Sequence, residues 1–96
     1  MSAARSNRRE VRNPILGLPA ARAALAELPA DQAEALRTVL LAIAADARGR
    51  ADESWRKHKG PMAAYWKAAS VYAGHIAKAI RAIPRQPSLF TNERNA

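Results

Sequence analysis

Residues 60–83 read GPMAAYWKAASVYAGHIAKAIRAI, and this segment sets the architecture. Gly60-Pro61 stops one helix and starts another. Behind it, Met62, Trp66, Ala69, Ala73, Ile76, Ile80 and Ile83 are spaced by four, three, four, three, four and three residues. That heptad-like seam predicts a helix from Pro61 to Ile83 lying nearly parallel or antiparallel to a partner helix. The partner precedes it. From about Ala30 to His58, Leu36, Leu40, Ile43 and Ala47 recur at helical spacing, and Ser54 and His58 extend the stripe with Trp55 beside it. Asp31 and Glu34 stand in its first turn and Arg56, Lys57 and Lys59 at its end, as the helix dipole favours. Gly49 interrupts the middle, where a kink or a break would fall. A short Gly-Pro turn makes the two helices antiparallel neighbours, and Ala69 and Ala73 let their backbones approach closely.

Ahead of this pair, Pro19 and Pro29 bracket a short helix, Ala20 to Leu28. Leu41, off the main stripe, is expected to pack under its Leu25 and Leu28. Residues 1–13 carry Arg5, Arg8, Arg9 and Arg12 against Glu10 and nothing that could form a core, so they read as a disordered basic arm. Residues 14–83 form the helical domain, and 84–96 a polar tail. The expected fold is all-α: a short N-terminal helix plus a long antiparallel helical hairpin. A hairpin this thin leaves apolar surface uncovered, and a homodimer with four long helices would cover it.

Composition narrows the function. The 96 residues carry a formal charge of +8 and no cysteine. Disulfides and thiolate metal sites are therefore excluded, and a cytoplasmic setting is favoured. No apolar run approaches the ~20 residues of a membrane span, and no apolar segment follows the basic N-terminus as in a secretory signal. Excess positive charge attracts polyanions. Lys67, Lys78 and Arg81 fall within about 60° of one another on the last helix, on the side away from the apolar seam, and span ~21 Å. Arg50, Arg56, Lys57 and Lys59 surround the turn beside Trp55, Tyr65 and Trp66. Cations interleaved with aromatics suit phosphate contact and base stacking, so Arg56, Lys57, Lys59, Lys67, Lys78 and Arg81 are the candidate nucleic-acid contacts. The competing reading is a solvated face that keeps the hairpin soluble. No helix-turn-helix pattern is present.

Catalytic patterns are missing. His58 and His75 have no ligand-spaced partners, so neither metal nor cofactor is expected. Asp52 and Glu53 are adjacent and point apart on a helix, and Ser54, Ser70 and Ser88 lack a nucleophile-elbow context. No glycine-rich phosphate loop exists. The chain reads as a non-enzymatic binding protein.

The tail holds the most specific signal, Gln86-Pro87-Ser88-Leu89-Phe90. Leu89 and Phe90 are adjacent apolar anchors, and phenylalanine offers a large area on a stiff side chain. Gln86 can donate and accept at a pocket rim, and Pro87 lowers the entropy lost on binding. These residues resemble the bacterial β sliding clamp-binding motif: Gln, a variable residue, Ser or Asp, Leu, Phe. Agreement holds at Gln86, Ser88, Leu89 and Phe90. Pro87 stands at a tolerant position where leucine is common in the family. By ordinary residue frequencies such a pattern arises by chance in roughly one chain of this size in several hundred. The resemblance covers five residues and none of the helical body. It implies a ligand of the replication clamp that recruits a factor to replication or repair, or competes with polymerases for the clamp pocket. Small mobile-element proteins that inhibit replication would look like this. Two rival readings stand beside it. One is a helical interaction module, such as an antiactivator or anti-defence protein, with Leu89 and Phe90 latched onto its own hairpin. The other is a nonspecific DNA-binding protein.

Overall fold

The computed structural model describes residues 12–85, which hold a short 3-10 turn (Pro14–Gly17) and three α-helices: α1 (Pro19–Ala26), α2 (Ala30–Arg56) and α3 (Gly60–Ala82). Among the described residues there is no strand, and the protein is an all-α helical hairpin with a short helix before it. Each helix begins at a proline: Pro19 heads α1, Pro29 caps α2, and Pro61 lies in the first turn of α3. A proline there loses no hydrogen bond and brings its φ already set. α2 runs unbroken through Gly49, where no break occurs.

The stop between α2 and α3 differs from the expectation. His58, rather than Gly60, turns the chain, with φ of 59°. The Lys59 N–H donates to the Ser54 carbonyl at 2.8 Å and the His58 N–H to the Trp55 carbonyl at 3.0 Å. This pair of bonds is the Schellman arrangement, which needs one left-handed residue after the helix. His58 therefore does not continue the α2 stripe, and Gly60 is already the first residue of α3.

Small side chains make the contact between α2 and α3. Ala33, Ala44, Ala47 and Ala51 are the buried residues of α2, with Leu40 half-buried between them. Opposite stand Ala63, Ser70, Ala73, Ala77 and Ile80, with Trp66 half-buried. Ala47 and Ala77 are each 1% exposed, and no large side chain is fully buried. The Ser70 hydroxyl, enclosed in this seam, donates to the Lys67 carbonyl at 2.8 Å, so its burial leaves no unpaired group. The expected stripes are corrected on both helices. Leu36 and Ile43 are exposed, as is Met62, while Ile76 and Ala69 are only half-buried. The seam lies one position further round, along 44, 47 and 51 on α2 and 63, 70 and 77 on α3, because alanine and serine allow the closer approach.

A second cluster closes the open end of the hairpin. Leu16 of the 3-10 turn and Ala26 of α1 pack on Ala79 and Ile83, with Ile15, Leu25 and Ala82 around them. α1 thus rides on α3 rather than α2, and Leu41 does not lie under Leu25 and Leu28 as expected; it borders Val71, Gly74 and Lys78 instead. Asn13 ties this end together: its Oδ1 accepts from the Ile15 N–H at 3.2 Å, and its Nδ2 donates to the His75 carbonyl at 2.8 Å. The Arg22 guanidinium adds a bond to the Leu16 carbonyl at 3.2 Å.

Candidate functional site

Two features bear on function: the point where the chain leaves the helical body, and the distribution of cations. α3 ends when Ile83 turns extended (φ −87°, ψ 122°) ahead of Pro84, which disfavours helical geometry in the residue before it. Arg85 follows, half-buried. Its Nη1 donates to the carbonyls of Leu25 and Leu28, and its Nη2 to those of Ile80, at 3.2 Å, and Ile83, at 3.1 Å. One guanidinium thus gathers the C-terminal carbonyls of α1 and of α3. A cation is favoured there by the helix dipoles, and the bonds are charge-assisted. The residue directly before Gln86 is fixed to the body. Gln86, Pro87, Ser88, Leu89 and Phe90 themselves lie outside the described residues, as does the arm before Arg12.

The cations are not opposite the seam, as the helical wheel alone suggested. They line one edge of it. Near the turn, Asp52 and Trp55 of α2 face Ala64 and Lys67 of α3 across a shallow groove. Further along, Leu41, Ala45 and Arg48 face Val71, Gly74 and Lys78. Lys78 also borders the 3-10 turn, beside Arg12, Asn13 and His75. At the far end Arg81 acts on Glu34. The Glu34 carboxyl is held below its ordinary range chiefly by its hydrogen bond from Arg37; desolvation opposes this, and the charges of Arg37 and then Arg81 add smaller pulls downward. On this edge Arg48, Lys67, Lys78 and Arg81 alternate with the exposed apolar side chains of Leu41, Trp55 and Val71. Cations and apolar bodies of this kind can meet phosphates and stack on bases.

The remaining candidates divide. Arg56 and Lys59 are exposed at the turn. Lys57 is exposed too, but it pairs with Glu53 at 3.1 Å, and this bond draws the Glu53 carboxyl below its usual range. Arg50 belongs to the other side of the hairpin, where its guanidinium lies 5.3 Å from the centre of the Trp66 ring. Tyr65 meets Trp66 edge-on at 5.1 Å. Sequence reasoning passed over Arg48 and Arg85. Arg48 sits seven residues after Leu41, on the same edge, and that spacing could have found it. Arg85 carries no periodic signal, since its role depends on the two helix ends meeting. Among the described residues no cluster of three or more potential metal ligands occurs, and no helix is long and apolar enough to cross a membrane. Comparisons with protein-family models, with curated proteins and with solved structures find no match to this chain.

Proposed function

We propose that this chain is a small non-enzymatic binding protein that docks on the bacterial replication sliding clamp through Gln86 to Phe90, and so modulates replication or repair. The sequence of that peptide carries the reading. Its placement supports it: the motif begins one residue after Arg85, whose bonds hold the end of the body. A peptide attached to a fixed point loses less freedom on docking than one on a long linker. The basic edge of the hairpin would then lie near the DNA that the clamp encircles. Tethering raises the effective concentration of such a face, so contacts too weak to act alone can contribute. Clamp pull-down with wild type and with Leu89→Ala/Phe90→Ala tests the proposal. Capture of the wild type and failure to capture the double variant is the expected result; equal recovery removes the clamp from the account.

A second reading, nonspecific DNA binding without the clamp, is favoured by the alignment of Arg48, Lys67 and Lys78 along one groove edge. It predicts gel shifts that weaken steeply with salt whether or not residues 86–96 are present.

A further inference from the structure

Several large apolar side chains of the hairpin lie beside its seam and not in it. Leu36 and Ile43 on α2, and Met62 and Ile76 on α3, stand roughly a quarter turn around their helices from the alanine seam. Both stripes open on the same side. Arg50 repeats the seven-residue interval from Leu36 to Ile43, and it lies over Trp66, which is four residues after Met62. Val39, Tyr65 and Tyr72 widen the patch. Leu36, Val39, Ile43, Met62, Tyr65 and Tyr72 are between 37% and 62% exposed. α1 and the 3-10 turn pack at Ala79 and Ile83 and leave this surface bare.

We infer that this face is the interface with a second copy of the chain, and that two hairpins close there into a four-helix bundle. Three observations support a second copy over other occupants. The first is area. The six exposed side chains and their half-buried neighbours offer on the order of 700 Å² per chain, against about 800 Å² per partner in a standard interface. The second is charge. A two-fold interface brings each patch against itself, so it must tolerate like meeting like. The α3 part of this patch has no charged residue, because Lys67, Lys78 and Arg81 all lie on the opposite groove edge. On α2 the patch includes Arg50, whose guanidinium lies 5.3 Å from the centre of the Trp66 ring, while Arg48, Lys67 and Lys78 of this +8 chain stand on the opposite edge. The third is the seam itself. Alanines satisfy the contact between α2 and α3, so the larger residues beside them stay exposed or half-buried among the described residues.

Sedimentation of the full-length chain from about 1 to about 100 µM tests this. The expected result is a species of twice the chain mass. Ile43→Glu/Tyr72→Glu should weaken association about 100-fold or more, since it sets like charges against each other across the two-fold. Helical circular dichroism should be kept, because both positions are exposed on helices. Leu41→Glu/Val71→Glu, on the opposite edge, should still dimerise. If Ile43→Glu/Tyr72→Glu loses helicity, Val39→Lys at the border of the patch gives the same readout. A wild type that stays monomeric across the range overturns the inference. So does a folded, dimeric Ile43→Glu/Tyr72→Glu, or loss of the dimer in Leu41→Glu/Val71→Glu. Dimerisation that appears only after residues 86–96 are removed also overturns it, because the chain's own tail would then be the occupant.

Discussion

The two edges of the α2–α3 hairpin are built from the same pair of helices and differ in nearly every property. One carries Arg48, Lys67, Lys78 and Arg81 among Leu41, Trp55 and Val71. The other carries Leu36, Ile43, Met62, Tyr72 and Ile76 with no charge from α3. Between them runs a line of alanines that neither edge shares. Cohesion and interaction are thus assigned to different residues. Small side chains hold the hairpin, while larger and charged ones are free to meet something else.

The most severe challenge to this division is to load the seam. Ala77→Leu inserts three carbons where the side chain is 1% exposed and faces another helix, and it should destabilise the chain by about 1 to 3 kcal/mol or more. Ile43→Ala, which removes the same number of carbons, should cost the monomer less than about 0.5 kcal/mol because the side chain is outside the core. Chemical denaturation at low micromolar protein compares them. If Ile43→Ala proves the more damaging, the division of labour is wrong.

The edges should also answer salt in opposite directions. Changing Arg48, Lys67 and Lys78 together to Ala should reduce the log–log salt slope of DNA binding by about 0.9 for each phosphate no longer neutralised, and lower affinity roughly tenfold or more at physiological salt. Arg50→Ala, on the apolar side, should leave the slope unchanged. Self-association through the apolar face should hold or strengthen as salt rises. A single salt series read by gel shift and by sedimentation separates the two behaviours, and a dimer that dissolves with salt would merge the two faces into one.

The displacement of the seam shows what was legible in the sequence and what was not. The hairpin, the order of its helices and their proline starts could be read from periodicity and breakers. One line of the seam on each helix was also correct: Leu40 and Ala47 on α2, and Trp66, Ala73 and Ile80 on α3. The second line was placed one residue aside on both helices, at Leu36 and Ile43 and at Met62, Ala69 and Ile76. Hydrophobicity drew both errors to the same side, because the bulky residues there outweigh the alanines and the serine that make the contact. Periodicity reports which residues share a face, and packing volume decides which face a partner helix can approach. The basic edge was legible in Lys67, Lys78 and Arg81, but its bearing relative to the seam inherited that error. Arg85 and the left-handed His58 depend on where chain ends meet and how a turn closes, and neither leaves a periodic trace.

His58 gives a smaller effect that bears on both edges, since the turn sets their register. A side chain in the left-handed region costs about 1 to 2 kcal/mol, and glycine avoids it. His58→Gly gains freedom in the unfolded chain, which offsets part of this. A net stabilisation of about 1 kcal/mol is expected in thermal unfolding. A net destabilisation would mean that the imidazole makes a contact the turn depends on.

A slighter effect still tests whether Arg81 belongs to the basic edge. Glu34 bonds to Arg37 at 2.7 Å, and this bond first, then the charges of Arg37 and Arg81, lowers its pKa below 4.5. A carboxyl lowered on folding adds stability above its unfolded pKa, and that contribution is lost as pH falls through the lowered folded value. Stability should therefore decline slightly as the solution is acidified below about pH 4.5, and Glu34→Gln should remove that part of the decline. The Glu34 side chain is 60% exposed and that of Arg37 20%, so solvent screens the pair and the change will be small. The side-chain titration followed by NMR is the more sensitive measure. Arg81→Ala should move the Glu34 midpoint upward, and Arg37→Ala should move it further, because the direct hydrogen bond outweighs the more distant charge. An unmoved midpoint in Arg81→Ala would place that guanidinium away from α2 and shorten the basic edge by one cation.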